Sequence, residues 1–204
     1  MPKRNLSQAL FHSQQAKRMQ SGLSVKKPKK RGIFMNKLLV VVDMQHDFID
    51  GALGTKEAMG IVKNVVNKIT QWDGDVICTM DTHKDDYLST SEGKKVPVVH
   101  CVDGTYGWQI DDSICAAMKS QAKIFTKETF GSMKLASYIG ESNYDYIEFI
   151  GLCTDICVIS NVLMAKAAKP ESTIVVDASC CAGVTPETHE AALKTMEMCQ
   201  IDIA

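Results

Sequence analysis

Cys157 has the clearest reactive setting in this chain, because it follows a short predicted strand and opens a predicted helix. The apolar run 146–150 predicts the strand, and Gly151 is expected to end it. The longer apolar stretch 156–168, which is rich in alanine towards its end, predicts a buried helix. Cys157 is therefore expected just past the tip of a strand.

The start of that helix favours a nucleophilic thiol. With Thr154 or Asp155 as the N-cap, Cys157 lies in the first turn, near free backbone N–H groups and the positive end of the helix dipole. This setting favours the thiolate, and the same N–H groups can stabilise an oxyanion. The alternative is a buried structural cysteine, because Cys is among the most frequently buried residue types.

Asp43 and Lys127 can supply the other two parts of a thiol mechanism. Asp43 can take the proton of the Cys157 thiol and later return it to a leaving amine, while the Lys127 ammonium offsets the repulsion between carboxylate and thiolate. As alternatives, Asp43 is a loop or capping residue and Lys127 is a surface lysine. A Cys–His pair through His46 has less support, since no histidine adjoins Cys157 in sequence.

Asp81, His83 and His100 form a second constellation. An Asp-x-His sequence after a predicted strand, with a further His in the polar loop 84–109, can supply three ligands to Zn²⁺, Fe²⁺ or Mn²⁺ and leave positions open for water. A loop of this length is usually functional. The alternative is that both histidines hydrogen-bond to the loop backbone.

The elements that position these residues follow from the hydrophobic pattern. Strand-like runs alternate with helical patterns, which predicts an α/β fold with a parallel sheet covered on both faces. The predicted strands lie at 38–42, 76–80, 122–126, 146–150 and 172–177, with a short edge strand at 200–203. Helical patterns cover 58–72, 110–118, 132–139, 156–168 and the segment that Thr185, as N-cap, and Pro186 open.

Ligand and catalytic sites of such sheets form where the C-terminal ends of the strands meet the following loops. Asp43, Asp81, Lys127 and Cys157 each fall at or just beyond the C-terminal end of a predicted strand. We therefore expect these four side chains to meet at one edge of the sheet.

The composition indicates one α/β domain, since the chain has 204 residues, of which 45% are apolar and 23% charged. No apolar run approaches the ~20 residues of a transmembrane helix, so no membrane contact is expected. Residues 35–204 carry a net charge of −10 and lack the basic excess of a nucleic-acid-binding protein. The eight cysteines form no C-x-x-C pair, so we expect reduced thiols and a cytoplasmic location.

Residues 1–34 differ from the rest of the chain, because they contain nine Lys or Arg and no acidic residue. We expect a disordered basic extension at 1–34, followed by the folded domain at 35–204. Three interpretations of the extension stay open: a segment upstream of a start at Met35, an organelle targeting segment, and a nuclear or nucleic-acid tag.

Several motifs together resemble a known family. The chain carries Asp43-x-Gln45-x-Asp47-Phe48, Asp81-x-His83, His100-Cys101, Lys127 and Gly151-Leu-Cys-Thr-Asp-Ile-Cys157-Val158. Over residues 36–203 it is similar to the isochorismatase-like cysteine hydrolases, nearest the nicotinamidase/pyrazinamidase branch. The resemblance implies a three-layer α-β-α fold around a six-stranded, mostly parallel sheet.

The resemblance also implies catalytic roles. Cys157, Asp43 and Lys127 match a catalytic triad in which the thiol attacks the carboxamide carbon. The bond between Leu152 and Cys153 matches a cis peptide, which is expected to aim the N–H groups of Cys153 and Cys157 at the oxyanion.

Metal and substrate contacts are implied in the same way. Asp81, His83 and His100 match the ligands of a metal that binds the pyridine nitrogen of nicotinamide. Gln45 and Phe48 match the substrate pocket, where Phe48 forms one aromatic wall.

Two positions depart from the nicotinamidase pattern. Pro97 stands where a Trp typically stacks on the pyridine ring, and Thr82 replaces the Trp of the usual Asp-Trp-His. A second aromatic wall is then missing or comes from Tyr87, Tyr106 or Trp108.

These residues support one leading hypothesis and two alternatives. The leading hypothesis is hydrolysis of nicotinamide to nicotinate and ammonia, in NAD salvage, through a thioester on Cys157. The first alternative is a sibling hydrolase of another small amide, ureide or carbamoyl compound. The second is a non-catalytic binding module of the same fold. We also expect a homo-oligomer.

Overall fold

The strands of the structure, a computed structural model that describes residues 35–118 and 122–204, form one parallel sheet. Its members are β1 (Lys37–Val42), β2 (Asp75–Asp81), β3 (Lys123–Lys127), β4 (Tyr146–Leu152), β5 (Thr173–Ala182) and β6 (Asp202–Ile203). Their order is β3-β2-β1-β4-β5-β6, and each described pair is parallel, which confirms the predicted sheet. The basic segment 1–34 and its expected disorder lie outside the described residues.

The centre of the sheet is buried on both faces. In β1 the run of Leu and Val residues from 38 to 42 is almost fully buried. Leu38, Val40 and Val42 pack into one hydrophobic core, whereas Leu39 and Val41 pack into another. Side chains alternate between the faces of a strand, so the two cores lie on opposite sides of the sheet.

Helices cover both of these faces. They are α1 (His46–Ile49), α2 (Lys56–Gln71), α3 (Asp112–Ala117), α4 (Met133–Gly140), α5 (Ile159–Ala168) and α6 (Pro186–Met198). Buried residues of α2 and α3 pack with Leu39, and those of α4, α5 and α6 pack with Leu38. The result is the expected three-layer α-β-α arrangement.

The capping residues fix where several helices begin. Thr185 caps α6 in a reciprocal capping box with Thr188, and Pro186 is the first helical residue, as predicted. Asp111 lies within the helical pattern predicted at 110–118, but in the structure it caps α3 by accepting hydrogen bonds from the backbone N–H groups of Ser113 and Ile114.

Gly151 does not end the fourth strand, so that prediction is wrong. β4 continues to Leu152, and β5 continues to Ala182, five residues past its predicted end. Gly151 has φ +119°, and a Cβ at this position would lie 2.1 Å from the Val42 carbonyl oxygen. A residue without a side chain therefore lets β4 stay close to β1, and a register shift after Phe149 carries the pairing with β5 onward.

The helix after β4 also starts differently from the prediction. Thr154–Val158 forms a π-helical turn, and α5 begins only at Ile159. Neither Thr154 nor Asp155 caps this turn with its side chain, because the Thr154 hydroxyl lies against His189 and the Asp155 carboxylate accepts from the Val184 N–H. Cys157 thus lies in a π-helical turn rather than in the first turn of an α-helix.

The long loop between β2 and α3 has some regular local structure of its own. It contains a short 3₁₀ turn at Tyr87–Ser89, and His83 pairs with Val102 in an isolated parallel bridge. Among the described helices, none is both long and apolar enough to cross a membrane.

Candidate active site

The four residues expected at the C-terminal edge of the sheet do meet there. Asp43 follows β1, Asp81 ends β2, Lys127 ends β3 and Cys157 follows β4, and these four strands are neighbours. The Lys127 ammonium nitrogen lies 2.6 Å from Asp43 Oδ2, 3.2 Å from Asp81 Oδ1 and 3.5 Å from Cys157 Sγ. Lys127 is only 5% exposed, so it is not a surface lysine.

The backbone and side chain of Asp43 are both fixed by Thr79 of β2. Asp43 has φ +46°, and its N–H donates to the carbonyl and hydroxyl oxygens of Thr79. The Thr79 hydroxyl in turn donates to Asp43 Oδ1 at 2.6 Å, which leaves Oδ2 for Lys127. The carboxylate is fully buried and has a defined orientation. Sequence reasoning missed Thr79, whose pairing with Asp43 spans 36 residues.

Asp43 and Lys127 form a buried ion pair with perturbed pKa values. Burial raises the pKa of the Asp43 carboxyl above its ordinary value, although Lys127 acts to lower it. For Lys127, burial opposes the charged form, but Asp43, Cys157 and Asp81 together outweigh it and raise its pKa. Lys127 therefore stays protonated, and Asp43 is a better proton acceptor than an exposed aspartate.

The Cys157 thiol is protonated at rest, contrary to the expected bias towards thiolate. Nearly complete burial and the Asp43 carboxylate raise the pKa of this thiol well above its usual range, and Lys127 offsets only part of the effect. A Cys157 nucleophile would therefore have to lose this proton as the sulfur attacks, and Asp43 belongs to the same buried cluster.

Asn161 of α5, another residue that sequence reasoning missed, binds the backbone of Cys157. Its side-chain Nδ2 donates to the Cys157 carbonyl at 2.8 Å and to the Phe130 carbonyl at 3.1 Å. Its Oδ1 accepts from the Ser132 N–H at 2.9 Å. The amide thereby joins the turn that carries Cys157 to the loop that follows Lys127. Its partners Phe130 and Ser132 lie 31 and 29 residues away, so no local sequence signal marks these contacts.

The peptide bond between Leu152 and Cys153 is cis, as the family resemblance implies. The carbonyl of Cys153 accepts hydrogen bonds from the N–H groups of Ile156 and Val158, at 3.1 Å and 3.0 Å. These bonds fold the chain into the turn that presents the Cys157 thiol.

Four side chains beside this group form a candidate metal centre. Asp81, His83 and His100 come together as expected, and Glu92 of the long loop joins them, with all four ligand atoms within 4.8 Å of one another. Asp81 Oδ2 lies 3.0 Å from His83 Nε2 and 3.7 Å from His100 Nε2. Glu92 Oε1 lies 3.9 Å from each of these nitrogens. Glu92 was missed, because the sequence does not single it out among the three acids that lie between the two histidines, which are Asp85, Asp86 and Glu92.

The donor atoms of this centre suit a divalent cation. His100 Nδ1 lies 2.8 Å from the Val98 carbonyl, which can only accept, so in the neutral imidazole Nε2 presents its lone pair to the cluster. Among the described residues, the buried His83 Nε2 has no hydrogen-bond partner of good geometry, despite its 3.0 Å distance from Asp81. Burial acts to raise the pKa of Asp81, but His100, His83 and Lys127 outweigh it and hold the carboxyl ionised. Two imidazoles and two carboxylates fit Zn²⁺, Fe²⁺ or Mn²⁺.

Gln45 and Phe48, the two predicted substrate contacts, each lie against a ligand of the candidate metal centre. The Gln45 amide accepts from the Asp81 N–H at 2.7 Å and donates to the carbonyls of Asp81 and Trp108, both at 2.8 Å. Phe48 packs edge-on against His100, with ring centroids 5.5 Å apart. Gln45 thus positions Asp81, and contact of either residue with a substrate stays a prediction.

The three aromatic residues considered for a second wall lie in different settings. Tyr87 is buried, and its ring lies 4.6 Å from that of His83 and 4.9 Å from that of His100. Tyr106 is exposed and stacks on His46, and the Trp108 indole N–H donates to the Thr82 hydroxyl at 2.9 Å.

Within residues 35–118 and 122–204, neither ring nitrogen of His46 makes a hydrogen bond, so a Cys–His pair gains no support.

Comparison with known proteins shows the family to which the chain belongs. The sequence profile of the isochorismatase domain family matches residues 37–203. A nicotinamidase/pyrazinamidase of Mycobacterium tuberculosis is 24% identical over 184 residues, covering 81% of this chain and 96% of that protein. A probable inactive nicotinamidase of Arabidopsis thaliana is 28% identical over 181 residues, covering 79% of this chain and 88% of that protein.

A solved structure extends the similarity to three dimensions. The crystal structure of the pyrazinamidase of Pyrococcus horikoshii in complex with zinc superposes with a TM-score of 0.70 at 26% identity. The superposition covers 83% of this chain and 98% of that one. With the family profile spanning nearly all the described residues, the chain belongs to the isochorismatase domain family, near its nicotinamidases and pyrazinamidases.

Proposed function

We propose that this protein is a metal-containing thiol amidase that hydrolyses a small carboxamide, with nicotinamide as the first candidate. One observation carries the proposal: a single buried ammonium, that of Lys127, contacts Asp43, Cys157 and the candidate metal ligand Asp81. A proton acceptor, a thiol and a metal centre are thus joined within one site. The nicotinamidase and pyrazinamidase relatives support the choice of substrate class.

The first half of the proposed reaction makes an acyl-enzyme. Asp43 accepts the proton of the Cys157 thiol while the sulfur attacks the carboxamide carbon, and Lys127 stabilises the negative charge shared by carboxylate and sulfur. In this step the N–H groups of Cys153 and Cys157 would bind the oxyanion. Asp43 then gives its proton to the departing nitrogen, the C–N bond breaks, and ammonia leaves a thioester on Cys157.

The second half releases the acid. A water molecule gives a proton to Asp43 as its oxygen attacks the thioester carbon, and the C–S bond breaks. The proton returns from Asp43 to the sulfur, which restores the thiol and frees the carboxylic acid. With nicotinamide as substrate the product is nicotinate, which would place the protein in NAD salvage.

Asp81, His83, Glu92 and His100 would hold the metal ion. When bound, the ion supplies a Lewis-acidic position that can coordinate a ring nitrogen or another donor atom of the substrate. The Pyrococcus horikoshii pyrazinamidase was solved with zinc, which makes zinc the first ion to test.

A second candidate function is non-catalytic binding on the same fold. The observation that favours it is the Arabidopsis thaliana relative, whose description is that of a probable inactive nicotinamidase. A third candidate, hydrolysis of another small amide, ureide or carbamoyl compound, is favoured by Pro97 and Thr82, which stand where nicotinamidases typically carry Trp.

A substrate panel with hydroxylamine present separates these candidates. Nicotinamide, pyrazinamide, benzamide and a linear ureide would be offered to the zinc-loaded protein, and ammonia and hydroxamate would both be measured. A thioester intermediate is intercepted by hydroxylamine, so hydroxamate from nicotinamide supports the proposal. Turnover of the ureide alone would favour the sibling hydrolase, and no product from any compound would favour the binding module.

A further inference from the structure

The turn that carries the nucleophile is held by a histidine from the last helix. Thr154, the first residue of the π-helical turn, is fully buried. Its hydroxyl oxygen lies 2.8 Å from Nδ1 of His189, which lies 35 residues later on α6. A buried hydroxyl needs such a partner, because leaving it without one costs the full desolvation of the group.

The same part of the chain makes a second polar contact with the turn. Both carboxylate oxygens of Asp155 lie 3.2 Å from the backbone nitrogen of Val184, in the loop between β5 and α6. Gly183 precedes it, and a Cβ at Gly183 would lie 2.9 Å from the backbone nitrogen and the Cβ of His189. The first two residues of the turn therefore bind one closely packed loop and helix start.

The start of α6 is itself well anchored. The capping box of Thr185 and Thr188 fixes its first turn, and the His189 N–H donates to the Thr185 carbonyl at 3.0 Å. Further along α6, Leu193 and Met196 pack into the same hydrophobic core as Cys157. His189 thus reaches Thr154 from a rigid base.

We propose that His189 is a positioning residue for the nucleophile: by binding the Thr154 hydroxyl, it keeps the turn in the shape that places Cys157 Sγ 3.5 Å from Lys127 Nζ. His189 acts through Thr154, and its role does not require contact with the substrate. The inference rests on the proposed function, because it assigns Cys157 as the reacting group.

A double-mutant cycle tests the coupling. His189→Ala, Thr154→Val and the double variant would be compared with wild type, and Glu190→Ala, on an exposed position of α6, serves as control. Because small misplacements of a reacting group are costly, we expect kcat for ammonia release to fall about tenfold in each single variant, with KM little changed. The double variant should lose no more than either single one, since all three remove the same contact.

A conservative variant and a substrate-free measurement complete the test. His189→Asn places a side-chain amide near the position of Nδ1 and should recover most of kcat, and Glu190→Ala should match wild type.

If wild type releases no ammonia from any carboxamide, the proposed function fails. The alkylation rate of Cys157 by iodoacetamide, followed by mass spectrometry, then still tests the positioning.

The alkylation rate should change by the same factor and in the same direction in His189→Ala, in Thr154→Val and in the double variant. The proposal is overturned if both single variants keep wild-type kcat and alkylation rates. It is equally overturned if the effects of the two substitutions multiply in the double variant, because His189 and Thr154 would then act independently.

Discussion

At the scale of single residues, the candidate site is organised around one charged group, the Lys127 ammonium. The Lys127 ammonium contacts the carboxylates of Asp43 and Asp81 and the sulfur of Cys157, and all four side chains are buried. Buried carboxylates are tolerated only when they are paired and hydrogen-bonded. We therefore expect Lys127 to stabilise the site as well as to take part in the proposed chemistry.

Replacing Lys127 by Met keeps the length of the side chain and removes its charge. We expect the free energy of unfolding to fall by about 3–5 kcal/mol, because a buried carboxylate loses its partner. Ammonia release should be lost in parallel. Urea unfolding measures the first effect, with Lys127→Arg as the charge-preserving control, for which the loss should be smaller. Wild-type stability in Lys127→Met would contradict the assignment of a shared buried cation.

The pH dependence of activity should report the Asp43 carboxyl. Asp43 must be ionised to accept the thiol proton, so kcat/KM should fall as pH decreases through its folded-state pKa. Burial raises that pKa, so the fall should be centred above the ordinary value of about 3.9 for Asp. The raised pKa of Lys127 keeps the ammonium charged throughout, so Lys127 should cause no loss of activity between pH 7 and 9.

The profile would be recorded from pH 4 to 9, with metal content measured at each pH as the control. A rate that stays flat down to pH 4, while the metal remains bound, would contradict the role of Asp43 as the proton acceptor.

The residues that the sequence could not reveal share a physical cause. Thr79 and Asn161 act through hydrogen bonds to groups 36 and 31 residues away, and no local pattern encodes such pairs. Asp43, Lys127 and Cys157 could be found because strand ends place reactive types at one edge of a parallel sheet. The protonation state of the Cys157 thiol could not be predicted in this way, because it depends on burial that only the folded chain shows.

At the scale of the elements, Gly151 sets the path of β4 into the π-helical turn that carries Cys157. Gly151→Ala should destabilise the fold by at least about 2 kcal/mol, because φ is +119° and the new Cβ would meet the Val42 carbonyl. Gly60→Ala is the matched control: it lies in α2 with open space around it, and should stabilise by roughly 0.5–1 kcal/mol. Thermal unfolding compares the two, and equal midpoints would refute this role of Gly151.

The number and parallel pairing of the strands were predictable, and their ends were less so. Apolar β-branched runs identified the sheet, and the Thr-Pro signal located the start of α6. The extensions of β4 and β5 depend on contact between neighbouring strands, which Gly151 permits. The π-helical turn could not be predicted from the sequence. Thr154 and Asp155 are residue types that commonly cap a helix, but in the structure their side chains contact His189 and Val184 instead.

At the scale of the whole molecule, the candidate metal centre joins the sheet to the long loop. Asp81 lies in β2, whereas Glu92 and His100 lie in the loop that follows. Removing the metal should abolish ammonia release and lower the melting temperature, because binding contributes about 2.7 kcal/mol when free metal exceeds Kd 100-fold.

The matched control for metal removal is Cys157→Ala, which should show the same shift in melting temperature, since the thiol is not a ligand. Returning Zn²⁺ should restore both stability and turnover. Unchanged activity and melting temperature in protein shown by elemental analysis to be metal-free would refute the metal assignment.

The measurement that tests the central claim most directly is ammonia release from nicotinamide by the zinc-loaded protein, compared with Cys157→Ala. Both proteins would first be shown to be folded and to hold equal metal. We predict release by wild type and loss of more than about 10³-fold in the variant, because the nucleophile is gone. Equal rates in the two proteins would contradict the role of Cys157 as the nucleophile. If the wild-type protein releases no ammonia from nicotinamide, nicotinamide is not the substrate.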